Sequence, residues 1–308
     1  MGNPSGGLRS GGGTGRAAWI KLTAGSCFMR QNMAILGLSA ALLVVTSIAV
    51  VAIGAARYFY LRGKLAAAQP VGKSAYLAEN SALGARTEAR GTLPPRILLI
   101  GDSRIHEWRF DGGDLGWETL NRGLVGETTA QLRFRFQSDA LALHPDVLVI
   151  QSGINDLVAA AALGKAGATL ANQTLATLQE LATQASEMGI PVVLTTIIPP
   201  FRPSLLRRIV WSDEIYGRVQ YVNQQLLHWT PPPGVRVIDI APLKSAEQRL
   251  NSSFARDCLH MNAIGYDALT RLLLPEIQLA LKRPAPQRSE TSRSSNKPIS
   301  HAGLPAHR

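Results

Sequence analysis

Cysteine is nearly absent, with two in 308 residues. Cys27 precedes the longest apolar run and Cys258 lies far beyond it, so no disulfide framework is available, and Cys258 reads as a buried apolar residue. Also missing are a Cys/His array spaced for zinc, a glycine-rich phosphate cradle with its lysine, and a dinucleotide fingerprint opening a strand–helix unit. No metal and no cofactor is expected. Acidic residues are missing from residues 1–64, which carry seven Arg/Lys, and residues 282–308 carry six Arg/Lys against one Glu. The 217 residues between them hold 19 basic and 20 acidic side chains. The net charge of +11 therefore belongs to the flanks. The body lacks the excess that suits a phosphate backbone, and no specific nucleic-acid partner is expected.

Charge is also absent from the 24 residues Met33–Ala56, "MAILGLSAALLVVTSIAVVAIGAA". A helix of that length crosses a hydrocarbon layer of about 30 Å. A buried core helix would keep a polar face, and the apolar region of a cleaved signal peptide is normally shorter, about 7–15 residues. The run therefore reads as an uncleaved anchor in the cytoplasmic membrane, with secretion after cleavage at the small residues that end it as the alternative. Basic residues on its two sides tie: Arg9, Arg16, Lys21 and Arg30 before it, Arg57, Arg62, Lys64 and Lys73 after it. The short basic segment "MRQNM" at 29–33 resembles a natural amino terminus. On that ground the amino terminus is expected in the cytoplasm and the body in the periplasm or outside.

The expected organisation is a basic Gly/Ser-rich segment over 1–32, the anchor over 33–56, a stalk and lead-in segment over 57–95, one folded domain over 96–281, and a disordered basic tail over 282–308. Within the domain, short apolar strands are expected at "RILLIG" from 96, at 118–122, 146–151, 190–198 and 235–240. Helical periods separate them. Ala171, Leu175, Leu178, Ala182 and Ala185 share one face, and Ile215, Val219, Val222, Leu226 and Trp229 another, the second behind a Ser212 cap. Near-continuous apolar strands alternating with long helices give an α/β fold, a parallel sheet covered on both faces.

In such sheets sites form beyond the carboxyl ends of the strands. After the first strand come Gly101, Asp102 and Ser103. After the second come Asn121, Gly123 and Gly126. After the third come Gly153, Asn155 and Asp156. Asp257 and His260 precede the closing helix. Singly, each cluster reads as a turn, a helix cap or a local hydrogen bond. Together, four clusters in one domain, three of them at strand ends, are much harder to dismiss as structural.

Their order resembles the SGNH/GDSL hydrolase family of serine esterases and lipases. Gly101-Asp102-Ser103 is similar to its first block, Gly126 to the glycine of its second, Gly153-Ile154-Asn155-Asp156 to its third and Asp257-Cys258-Leu259-His260 to its fifth. The resemblance spans about residues 96–281. It implies a three-layer α/β/α sandwich with a central parallel sheet, the flavodoxin-like arrangement, here with an N-terminal transmembrane helix. It also implies a catalytic triad of Ser103, Asp257 and His260, and an oxyanion hole from the backbone N–H groups of Ser103 and Gly126 and the Asn155 side-chain amide. Asp102 and Asp156 would support the local turns. A Gly-x-Ser-x-Gly elbow, the mark of the other large serine esterase class, does not occur.

Arg104 stands where the family name places leucine. A guanidinium facing the cleft would favour polar or anionic esters, making Arg104 a specificity candidate; pointing along the first helix face, it would have no such effect. His106 matches no block and reads as an ordinary pocket or surface residue. The expected substrate is an acyl or acetyl ester, with acyl transfer to a sugar alcohol and noncatalytic binding of acylated glycan as alternatives.

Overall fold

The computed structural model describes residues 14–67, 76, 79, 80, 83 and 93–282. The expected tail beyond Lys282, the first 13 residues and most of the stalk lie outside the described residues. The chain divides into two units, Met1–Tyr58 and Phe59–Arg308. The first is the greater part of one long helix, α1 (Thr14–Ala67), whose backbone runs on through the start of the expected stalk. Among the described residues one segment is long and apolar enough to cross a membrane, Met29–Gly63, and none of its most apolar window is buried.

The second unit is built on a five-stranded parallel sheet in the order β2-β1-β3-β4-β5. The strands are β1 (Arg96–Gly101), β2 (Glu118–Gly123), β3 (Val147–Gln151), β4 (Val192–Thr195) and β5 (Val235–Ile238). Every residue of β1, β3 and β4 is buried, which is why they read as unbroken apolar runs rather than alternating ones. Between them come α2 (Ser103–His106), α3 (Thr129–Asp139), α4 (Ile154–Ala162), α5 (Gly167–Glu187), α6 (Leu205–Arg208), α7 (Glu214–His228) and α8 (Ala263–Lys282).

The two faces of the sheet are covered unequally. Leu98, Ile100, Leu148, Ile150, Val192 and Leu194 pack against α3, α4, α5 and α7 in one core. On the other side Ile97, Leu99, Val147, Val149 and Val193 meet α8 through Leu269, Leu273 and Ile277, with Ile105 of α2 and Trp108 beside them. The helical faces of α5 and α7 lie where the periodicity places them, with Leu175 and Trp229 only partly buried. Asp213, not Ser212, caps α7, and it does so without a side-chain hydrogen bond. Helix α3, which no apolar period announces, is started by a capping box: Thr128 accepts from Gln131 N–H and the Gln131 side chain accepts from Thr128 N–H.

The lead-in segment reaches the second unit at three described residues. Tyr76 donates to Gly123 O at 2.9 Å, the Asn80 amide donates to Asp139 Oδ1 at 2.7 Å, and Leu83 is buried.

The strand order reverses direction on either side of β1 and β3, so a crevice opens beyond their carboxyl ends. Gly101, at the end of β1, lies opposite both Gly123 and Gln151 in the register. A Cβ built on it would stand 1.8 Å from Gln151 O. Gly101→Ala should therefore force β1 and β3 apart and lower stability by about 3 kcal/mol or more, read as the urea midpoint of the detergent-solubilised chain. An unchanged midpoint would show that the strands yield freely there.

Candidate active site

Asp102 turns the chain out of β1. Its backbone is extended, and its Oδ1 accepts from Arg104 N–H at 2.9 Å, capping the single turn of α2. Ser103 is the first residue of that turn, with 6% of its surface exposed. Its Oγ lies 3.0 Å from His260 Nε2.

His260 belongs to the hairpin-like segment 255–261, closed by the bridge between Ala255 and Met261 and by Arg256 N–H donating to His260 O at 2.9 Å. Asp257 Oδ1 accepts from the backbone N–H groups of Leu259 at 2.8 Å and His260 at 3.0 Å. His260 Nδ1 lies 2.9 Å from Asp257 Oδ2 and 3.1 Å from Oδ1. An ionised carboxylate only accepts, so Nδ1 carries the hydrogen and Nε2 turns its lone pair to Ser103 Oγ. Burial opposes the Asp257 charge. The hydrogen bonds from Leu259 N–H, the imidazole and His260 N–H outweigh it and draw the carboxyl down to about 2. The structure thus brings together Ser103, His260 and Asp257 in one hydrogen-bonded line.

Gly126 lies in the loop after β2 with φ +72°, and a Cβ there would meet nothing within 4 Å. Its N–H has no acceptor among the described residues. Gly123 is spent differently: a Cβ on it would stand 2.1 Å from His106 N, so it is the glycine that lets α2 approach β2. Asn155 is half-buried in the first turn of α4, and its amide donates to Glu127 O at 2.9 Å, tying the end of β3 to the Gly126 loop.

Residues that sequence reasoning missed hold that loop. Glu127 is fully buried and accepts twice from Arg135, at 2.6 and 2.7 Å, and Arg135 also donates to Asp139 and to Arg122 O. The Thr128-x-x-Gln131 box was the available signal for the helix that carries Arg135. A second brace joins α2 to the histidine segment, where Arg256 pairs with Glu107 at 2.9 Å.

Asp102 and Asp156 are both buried. Asp156 accepts from Thr129 N–H at 2.9 Å and Thr129 Oγ1 at 2.7 Å, joining α4 to the start of α3. Burial raises its carboxyl to about 7, against the Thr129 hydrogen bonds and with some help from the Asp102 charge. Burial raises Asp102 as well. His106 is exposed, with Nδ1 3.2 Å from Gly123 O. Cys258 is buried against the larger core.

Arg104 requires a correction. It is 1% exposed and does not face the cleft. Its Nε donates to Leu259 O at 2.9 Å and its Nη1 to Ile198 O. Bonded to two buried carbonyls, it braces the nucleophile turn against the histidine segment and the exit of β4.

The family profile described as GDSL-like lipase/acylhydrolase matches residues 99–268. A GDSL-like lipase from Bacteroides thetaiotaomicron VPI-5482 shares 23% identity, covers 67% of this chain and 96% of its own, and superposes with a TM-score of 0.52. A catalytic mutant of an acetylxylan esterase from Geobacillus stearothermophilus shares 20% identity over 60% of this chain and 94% of its own, with a TM-score of 0.43. At 23% identity the likeness to the first is one of fold. No curated protein matches the chain.

Two outcomes follow from the geometry. Arg104→Leu strands two buried carbonyls at a cost of about 1–3 kcal/mol each. It should lower the thermal midpoint and kcat, while the ratio of kcat/KM for acetyl and octanoyl esters stays unchanged; a shift of that ratio toward long chains would return Arg104 to the cleft. Asp156 has a folded-state value above its unfolded one, so its contribution to stability is full below about pH 4 and is lost as pH rises through about 7. Asp156→Asn should flatten that part of the stability–pH curve in urea titrations, and an unaltered slope between those limits would exclude Asp156 as its source.

Proposed function

The chain belongs to the GDSL-like lipase/acylhydrolase family, and from that premise we propose that it is a serine esterase hydrolysing carboxylic esters through an acyl-enzyme intermediate. The observation that carries the reading is the contact of 3.0 Å between Ser103 Oγ and His260 Nε2. His260 takes the Ser103 proton as Oγ attacks the ester carbonyl, then returns it to the leaving alcohol. Water deacylates the serine by the same route in reverse. Asp257 holds the tautomer and stabilises the imidazolium that forms; its carboxyl, drawn down to about 2, stays ionised throughout the neutral range.

The negative charge that develops on the carbonyl oxygen needs donors already in place. The Ser103 and Gly126 N–H groups and the Asn155 amide are assigned that role. The open φ +72° turn at Gly126 and the Asn155–Glu127 bond support the assignment. Asp102 and Asp156 act on the turns that carry these donors. Residues 96–281 form the hydrolase domain in this reading. The apolar run Met33–Ala56 anchors the chain in the cytoplasmic membrane as a single pass, and the domain faces the periplasm or outside.

Turnover of p-nitrophenyl acetate and butyrate by the detergent-solubilised full chain tests the chemistry. Ser103→Ala should lower kcat by at least about 10⁴-fold with the fold intact by circular dichroism. Equal rates in the two proteins would end the serine mechanism.

A further inference from the structure

Tyr76 and Asn80 lie ahead of β1, outside the stretch 99–268 that the family profile matches. One reaches the start of the short loop after β2, and the other reaches what holds its end. The loop begins at Gly123, whose carbonyl oxygen accepts from the Tyr76 hydroxyl at 2.9 Å. Burial raises the Tyr76 phenol above its ordinary value, so the hydroxyl keeps its hydrogen at working pH. The ring of the same residue faces the Arg122 guanidinium, whose carbon stands 4.6 Å from the ring centroid. Tyr76 O accepts from Asn80 N–H at 2.8 Å, which fixes the two residues relative to each other.

Asn80 is 9% exposed and uses both halves of its amide. Its Oδ1 accepts from Arg122 Nε at 3.0 Å, and its Nδ2 donates to Asp139 Oδ1 at 2.7 Å and to Ser138 O at 3.3 Å. That orientation is the one chemistry allows, since a guanidinium only donates and a carboxylate only accepts. Through its other oxygen Asp139 accepts from Arg135 at 3.0 Å. Arg135 Nη2 donates to Arg122 O at 2.6 Å, and Arg135 Nε and Nη2 donate to the Glu127 carboxylate at 2.6 and 2.7 Å. Glu127 directly follows Gly126, and its carbonyl accepts from the Asn155 amide. Arg122, Arg135, Glu127 and Asp139 are all buried. Buried charges hold a single geometry only while their hydrogen-bond sites are filled.

We infer that Tyr76 and Asn80 are positioning residues for the oxyanion donors at Gly126 and Asn155. The inference rests on the esterase reading above and extends its site to chain that precedes β1. Tyr76 sets where the loop leaves β2, and Asn80 sets the buried pair that ends it. Leu83, buried in the larger core, holds the same segment by apolar contact. Donors displaced by about 1 Å lose much of their hold on the transition-state charge, while ground-state binding changes less. The effect therefore falls on kcat rather than on KM.

Tyr76→Phe keeps the ring beside Arg122 and removes only the hydroxyl. Asn80→Asp keeps the shape, removes the donor and sets a second carboxylate against Asp139. In the detergent-solubilised full chain, kcat for p-nitrophenyl butyrate should fall about 5-fold in the first and about 50-fold in the second, with KM within about twofold of wild type. Inhibition by butylboronic acid, which forms a tetrahedral adduct at a reactive serine, should weaken in proportion to kcat/KM. Amide hydrogen exchange should rise about tenfold or more over residues 123–128 and stay unchanged in α5 and α8. Ile277→Val, in the core face of α8, is the reference for general destabilisation and should leave kcat unchanged. Tyr76→Phe decides alone if Asn80→Asp fails to fold. A fall in kcat/KM without weaker boronate binding, or with unaltered exchange at 123–128, overturns the positioning role. So does raised exchange with unchanged kcat, which leaves the two residues as structural braces. Equal rates for wild type and Ser103→Ala overturn the esterase reading itself, and the positioning role with it.

Discussion

The buried guanidinium of Arg104 is the constraint on which the site depends. Ser103 and His260 are 157 positions apart, and neither local segment sets the distance between them. Arg104 follows the serine directly and bonds the carbonyl of Leu259, which precedes the histidine directly. Its other arm reaches Ile198, at the exit of β4. One planar group thus joins three chain segments at the carboxyl end of the sheet, where no ladder hydrogen bonds remain to hold them. Its geometry is fixed to Ser103 on one side and to His260 on the other. The Arg256–Glu107 pair repeats the connection nearer the surface, where solvent screens it.

The donors assigned to the oxyanion are held by separate means. The Gly126 loop hangs from the buried Glu127–Arg135 pair, and Asn155 is bonded to the same loop. A buried ion pair of this kind adds little net stability, because desolvation offsets its attraction, yet breaking it is costly. Its value is in excluding other loop positions. Asp156 and Thr129 make a similar joint deeper in, at the expense of a carboxyl that burial has moved to about 7. The local structure gives up some stability at neutral pH to keep α3 and α4 in register.

The strands and the two long helices were legible because burial on both sides of a parallel strand, and on one side of a helix, leaves a direct mark on apolar spacing. The clusters holding Ser103, Gly126 and Asn155 stood out because they follow strand ends, and the one holding His260 because it precedes the closing helix. Their roles came only from the resemblance to the SGNH/GDSL family. Arg104 did not stand out. A buried arginine and an exposed one look alike in a sequence, and what separates them is the presence of two carbonyls contributed from 94 and 155 positions away. Helix α3 escaped for a related reason. Its buried face includes Thr129, Gln131, Arg135 and Asp139, polar groups that satisfy one another, so no apolar stripe marks it.

The uneven covering of the sheet has a kinetic consequence. One face is closed by four helices that arise between β2 and β5, whereas the other waits for α8, the last described element. His260 stands immediately before it. A growing chain can assemble the Ser103 turn, the Gly126 loop and most of one core, which lacks only Cys258 and Leu259, while His260 is still to be made. The order of synthesis therefore places the Ser103–His260 contact among the last formed, and its high sequence separation makes it a late, slow closure. Until α8 arrives, the emerging domain carries an open apolar sheet face.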